Sequence, residues 1–166
     1  MTSYIIDANI LIQAHRRLYP LDVFIGFWNQ ITSLAHSGVI ESIDKVKKEI
    51  IGKNDLLETW CVGHLPATFF KDSSTCMSQY ADVCKWAISR KSHYKPTALA
   101  EFLHHDEADA FIVAHGIFGG NNKIIVTEEI SEPLGKKKVK IPEPCNHFNL
   151  QYINTIEMFR RLQITI

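Results

Sequence analysis

Apolar positions along this chain fall into two patterns: short unbroken runs, and longer stretches with apolar residues three and four apart. Short runs bounded by turn residues read as buried strands, and three-to-four spacing reads as amphipathic helix. Ser3 to Leu11 reads as a buried strand interrupted only by Asp7-Ala8-Asn9. Val23 to Ser37 reads as a helix, with Val23, Phe24, Phe27, Trp28, Ile31, Leu34 and Ala35 at helical spacing and Gly38 as its C-cap. Val39 to Ile43 is a second short strand, followed at Asp44 by a helix carrying Glu49 and then a short helix over Asp55 to Cys61. Ser73-Ser74-Thr75 caps a predicted helix running to about Arg90, with Met77, Tyr80, Ala81, Cys84 and Ala87 or Ile88 facing inward.

Pro96 opens a further helix through about Leu103. Asp106 is the expected cap of a helix that carries Asp109 and ends at Gly116. Lys123 to Thr127 is a third buried strand, Gly135 to Pro144 a basic, proline-rich connection, and Leu150 to Ile153 a weaker strand. Asn154-Thr155-Ile156-Glu157 has the form of a capping box opening the last helix. Apolar strands alternating with helices predict an α/β fold with a mostly parallel sheet covered on both faces. In such sheets a ligand binds beyond the carboxyl ends of the strands, where the strand order reverses.

A length of 166 residues, 46% of them hydrophobic, suits one domain spanning residues 1–166 with a sizeable core. No apolar run reaches a bilayer span and no signal-peptide pattern opens the chain, so a cytoplasmic protein is expected. Cys61, Cys76, Cys84 and Cys145 form no CxxC pair and read as buried free thiols. Phe24, Phe27 and Trp28 read as core, with a homodimer face as the alternative. Lysine plus arginine and aspartate plus glutamate each number 18, so any nucleic-acid contact must come from local clusters. Arg16, Lys48 and Lys137 represent three such clusters and are the candidate phosphate contacts.

Acidic residues then stand out by position. Asp7 follows Tyr4-Ile5-Ile6 directly, Glu49 lies on the helix after the second strand, and Asp109 opens a strongly apolar helix. Glu128 and Glu129 follow Ile125-Val126-Thr127, and Glu129 is preferred of the two. Each has a plain alternative: an Asx-turn for Asp7, a solvated charge among lysines for Glu49, a favourable helix-dipole position for Asp109. Carboxylates gathered in one cleft repel one another and call for a cation or a proton. A divalent metal resolves that, and metal with carboxylates points to phosphate chemistry. His104-His105-Asp106 and Cys145-Asn146-His147 lack the paired spacing of a structural zinc site. A phosphatase using Asp7 as nucleophile usually wants a second Asp where Asn9 stands.

Together Ile5-Ile6-Asp7-Ala8-Asn9, Val46-Lys47-Lys48-Glu49-Ile50, Ala108-Asp109-Ala110-Phe111-Ile112-Val113-Ala114 and Ile125-Val126-Thr127-Glu128-Glu129 resemble the motifs of a PIN-domain ribonuclease. Many such proteins are the toxin half of a toxin–antitoxin pair. The resemblance implies a three-layer α/β/α sandwich and a magnesium- or manganese-dependent endoribonuclease, with an RNA substrate and a protein antitoxin as partner. It assigns the acidic roles to Asp7, Glu49, Asp109 and Glu129, and supporting polar roles to Asn9 and Thr127. Asp7 and Asp109 would hold the principal metal, while Glu49 and Glu129 would act through water or a second ion. Glu129 departs from the family's more frequent Asp by one methylene. The competing expectation is a PIN-like module that has lost activity and binds RNA or protein.

Overall fold

A computed structural model of the chain describes residues 2–166. Its strands, β1 (Ser3–Ile6), β2 (Ile40–Ile43), β3 (Phe70–Lys71), β4 (Lys123–Val126) and β5 (Tyr152–Ile153), form a five-stranded sheet in the order β3-β2-β1-β4-β5. Every neighbouring pair is parallel. Ile5, Ile6, Ile124, Ile125 and Val126 are all buried, as expected for strands covered on both faces.

Strand order dictates where the helices go. From β1 the chain moves outward to β2 and β3, then crosses back to β4 and β5 on the other side. Right-handed crossovers therefore place the two sets of connections on opposite faces. The first set carries α1 (Ala8–Gln13), α2 (Ile25–His36), α3 (Asp44–Ile50) and α4 (Leu56–His64). The second carries α5 (Met77–Ser89), α6 (Pro96–Phe102), α7 (Asp109–Gly119) and α8 (Pro142–His147), and α9 (Thr155–Arg161) follows β5. Aromatic contacts agree: Trp28 of α2 meets Trp60 of α4 at 4.6 Å, and Phe27 meets Phe159 of α9 at 5.8 Å. Across the sheet Tyr80 of α5 stacks on Phe111 of α7 at 3.9 Å, and Trp86 meets Phe102 at 6.3 Å and His147 at 5.9 Å. The architecture is the expected three-layer α/β/α sandwich.

Helix α7 is the centre of its layer, with every residue from Ala110 to Gly116 buried. A side chain at Gly116 would stand 3.0 Å from Ile125 Cδ1, so the missing Cβ lets α7 lie close against β4. Beneath it, Glu41 of β2 accepts hydrogen bonds from His115 Nε2, at 2.7 Å, and from Lys123. Burial opposes the charge on Glu41, but those two partners prevail and hold its pKa down at about 2.

Several elements differ from the sequence expectation. The first strand ends at Ile6, not Leu11, because Asp7 has extended backbone and accepts the Asn9 N–H, capping α1. Ile10 and Leu11 remain buried, but on a helix. Helix α2 starts at Ile25: the N–H groups of Val23 and Phe24 turn back to the Pro20 carbonyl, leaving both side chains exposed. Phe27, Trp28, Ile31, Leu34 and Ala35 are core as expected. The helix after Asp55 runs on to His64. Asp72, not Ser73, caps a 3₁₀ turn over Ser73–Cys76, and α5 begins only at Met77. Its buried residues are accordingly Val83, Trp86 and Ala87, while Met77, Ala81 and Ile88 are exposed.

Asp106 caps nothing. Ala108 stands at the N-cap of α7, Asp109 is the first helical residue, and the helix continues to Gly119. Strand β3 and helix α8 had no counterpart in the sequence reading. β3 is two residues long, and α8 begins with a proline, which the first turn of a helix tolerates. Gly38 does terminate α2's segment with φ of 71°, and Asn154 does cap α9 through Oδ1 to the Glu157 N–H at 2.8 Å. The cysteines are free: Cys61, Cys76 and Cys145 are buried and Cys84 half-buried.

Candidate functional site

β1 and β4 are neighbours at the point where strand order reverses, and Ile6 is in register with Val126. The next residues, Asp7 and Thr127, therefore leave the sheet side by side at its carboxyl edge. Thr127 Oγ1 donates to Asp7 Oδ2 at 3.2 Å, while Asp7 Oδ1 accepts the Asn9 N–H at 3.4 Å. The same hydroxyl accepts the Glu129 N–H at 3.2 Å and so folds the strand's continuation back over Asp7. The start of α7 brings in Asp109, and α3 brings in Glu49.

These groups act on one another through their charges. Asp7 is 1% exposed. Burial first, then the charge of Glu129, push its pKa up to about 7, with Glu49 adding to the rise. Asp109 is pushed up to about 8 by burial and by Asp7 and Glu129. That happens at a helix N-terminus, which favours the anion, so burial and like charge outweigh the helix dipole. Glu49 rises to about 7 through burial and the charges of Asp109 and Glu107. Four acids far apart in sequence thus form one electrostatic unit.

Glu128 is not among them. Its Oε1 accepts from the Thr155 N–H at 3.1 Å and the Thr155 hydroxyl at 2.6 Å, at the start of α9. Glu129 turns the other way: Oε2 accepts the Ile141 N–H at 2.8 Å and Oε1 pairs with Lys138 Nζ at 2.5 Å. Lys138 Nζ is also 3.9 Å from Asp109 Oδ2. Burial works against the lysine's charge, but Glu129 and Asp109 prevail and raise its pKa. Beside this pair a cavity of about 10 Å³, room for a single water, is lined by Glu107, Asp109, Lys138 and Val139 among others. Past the ends of β4 and β5 a groove of about 360 Å³ opens from Thr127 and Glu129 towards Tyr152 and Asn154.

A family model described as a domain of unknown function, DUF4411, matches residues 4–166. The chain belongs to that family. No protein of curated function matches it. Among the described residues the DUF4411 match takes in every helix and every strand but for Ser3 of β1, so the acid cluster is built wholly from the family's own domain.

Lys138 is the member of this site that sequence reasoning missed. Its signal was the run Lys136-Lys137-Lys138, from which Lys137 was the candidate. Lys137 is exposed, as are Arg16 and Lys48, and none of the three forms an ion pair among the described residues. The contribution of Asn9 to the cluster is its backbone N–H on Asp7. His104, His105 and Asp106 bring their ligand atoms within 4.8 Å of one another, but on an exposed turn. Burial pushes the Cys61 and Cys145 thiols up to about 12 and the Cys76 thiol to about 11, which leaves them poor nucleophiles.

The donor set suits a hard divalent cation. Every acid at the site offers oxygen, as magnesium and manganese prefer, and no thiolate or imidazole is among the groups that interact there. Buried carboxylates held near neutral pKa are groups for which an arriving cation relieves repulsion. Among the described residues, no helix is long and apolar enough to cross a membrane.

Proposed function

We propose that this DUF4411 protein is a metal-dependent endoribonuclease acting in the cytoplasm, and, on its likeness to PIN-domain toxins, the toxin half of a toxin–antitoxin pair. The observation that carries the reading is the convergence of Asp7, Glu49, Asp109 and Glu129 where strand order reverses, with three of them held near neutral pKa. Asp7 and Asp109 would hold a magnesium or manganese ion. When bound, that ion supplies Lewis-acid stabilisation of a phosphodiester and favours ionised water near it.

The chain's own residues do the rest. Thr127 fixes the Asp7 carboxylate through Oγ1 and fixes the Glu129 backbone through its N–H. Glu49, half-buried beside Asp109 and ionised once the cation is bound, is suited to take a proton from water. The water oxygen forms a bond to phosphorus as the bond from phosphorus to the 3′ oxygen breaks. One proton passes to a carboxylate and one ends on the leaving oxygen, giving a 5′-phosphate and a 3′-hydroxyl. The groove past β4 and β5 is the open approach for the RNA strand.

The test is cleavage of a labelled RNA pool with magnesium, with EDTA, and by Asp7→Asn. Asparagine caps a helix as well as aspartate does, so this variant should keep its fold while losing cleavage by 100-fold or more, on the order expected for removing a central ligand. An Asp7→Asn protein that cuts at the wild-type rate would sink the assignment. One observation favours a second reading: both oxygens of Glu129 are already engaged, by Ile141 and Lys138. A site satisfied in this way suits a PIN-like module that binds RNA or protein without cutting. Folded, inhibitor-free protein that retains RNA on a filter but never cleaves it would favour that module.

A further inference from the structure

Lys138 is not a loose surface lysine. The loop that presents it is tied down on both sides: the Lys136 carbonyl accepts the Lys95 N–H at 2.9 Å, and Val139 is buried. Lys140 pairs with Glu132 at 2.8 Å, and the Ile141 N–H reaches Glu129. Earlier in the same loop, the Ser131 hydroxyl and Glu132 N–H both donate to Glu143 Oε1, and His93 Nε2 meets the Gly135 carbonyl at 2.9 Å. The backbone around Lys138 is therefore fixed before its side chain is placed.

That placement divides the site. An ammonium group and a divalent ion compete for the same carboxylate lone pairs. Glu129 already accepts at both oxygens, Oε1 from Lys138 and Oε2 from the Ile141 N–H, and the ammonium on Oε1 opposes a second cation there. Asp109 turns Oδ2 towards the same ammonium. Asp7 and Glu49 feel the charge of Lys138 but form no hydrogen bond or ion pair with it, so Asp7 and the other edge of Asp109 are left for a divalent ion, with Glu49 beside them. We propose that Lys138 is the resident cation of this site, holding Glu129 and one edge of Asp109 so that the cluster takes up one divalent ion, not two. This rests on reading the cluster as a metal-dependent nuclease centre. It replaces the second-ion role that the resemblance allows for Glu129. With its side chain 43% exposed, the ammonium also has donors free for a phosphate oxygen arriving from solvent.

Counting bound ions tests this without any cleavage assay. Manganese is titrated calorimetrically into the full chain as wild type, Lys138→Met, Lys138→Arg and Asp7→Asn. Lys138→Met keeps the apolar stem and removes the charge, while Lys138→Arg keeps the charge. The expected counts are one ion for wild type and Lys138→Arg, two for Lys138→Met, and a weakened or lost ion for Asp7→Asn. Adding Glu129→Gln to Lys138→Met should return the count to one. Two ions in wild type, or one ion in Lys138→Met, would overturn the role of Lys138 and leave the metal centre standing. No ion in wild type and Lys138→Met alike would remove the metal reading and this inference together.

Discussion

Asp7 carries more than one duty, and its chemistry sets a measurable pH signature. It caps α1 and faces Glu129 and Glu49 from a buried position. Its folded pKa of about 7, and that of Asp109 at about 8, lie well above the unfolded carboxylate value of roughly 4. Between those limits the native state binds protons that the unfolded chain has released, so stability falls as pH rises through that window. In EDTA, the melting temperature of wild type should drop from pH 5 to pH 8, and that drop should shrink in Asp7→Asn. An identical drop in both proteins would mean that Asp7 is not held among like charges. Glu41 behaves in the opposite sense. Its pKa of about 2 means its stabilising effect is present above roughly pH 4.5 and is lost as acid approaches pH 2. Glu41→Ala strands His115 and Lys123 beneath α7, and should cost about 3 kcal/mol or more in a urea unfolding experiment.

At the scale of elements, local chemistry explains which parts of the fold were legible. Asn154 caps α9 as its sequence foretold, and Asn154→Ala should cost about 1 kcal/mol, read as a melting point lower by roughly 2–4 °C. Gly38 and Pro96 likewise sit where a positive φ and a first helical turn require them. Misreadings arose where two patterns coincide. The run from Ile5 to Ile12 is apolar almost throughout, and only the Asp7 cap separates strand from helix within it. The α5 face was shifted because the 3₁₀ turn from Ser73 to Cys76 delays the helix to Met77. Strand β3 is too short to show a period, and the prolines that mark α8 as a connection are also compatible with its opening turn.

The whole molecule determines how a cation should act on stability. A ligand that binds only the folded state stabilises it by mass action, by about 2.7 kcal/mol at a hundredfold excess over its dissociation constant. Millimolar magnesium should therefore raise the melting temperature of wild type at pH 8 and leave Asp7→Asn nearly unmoved. An unchanged wild-type curve would count against a preformed cation site. Metal uptake at pH 7 should also release protons from Asp7, Glu49 and Asp109, because the cation favours their ionised forms. Calorimetry in two buffers of different ionisation enthalpy reads that release, which should vanish near pH 9.5. Equal heats in both buffers at pH 7 would show that the acids are already ionised.

The sequence by itself determined the alternation of strands and helices, the burial of Ile5-Ile6 and Ile124-Ile125-Val126, and the presence of acids just past strand ends. These are local properties, written in side-chain period and in the capping chemistry of Asp, Asn and Gly. Tertiary structure alone decided which acids meet. Residues 7 and 129 converge because β1 and β4 are adjacent in register, and 49 and 109 join them because α3 starts where β2 ends and α7 starts at that edge before running back to β4. The choice of Glu129 over Glu128 followed from Thr127 folding the chain back and Thr155 capturing the other carboxylate. The choice of Lys138 over Lys137 followed from a loop anchored at residues distant in sequence. Neither choice has a local signature, because adjacent residues of the same type differ only in what the rest of the fold brings near them.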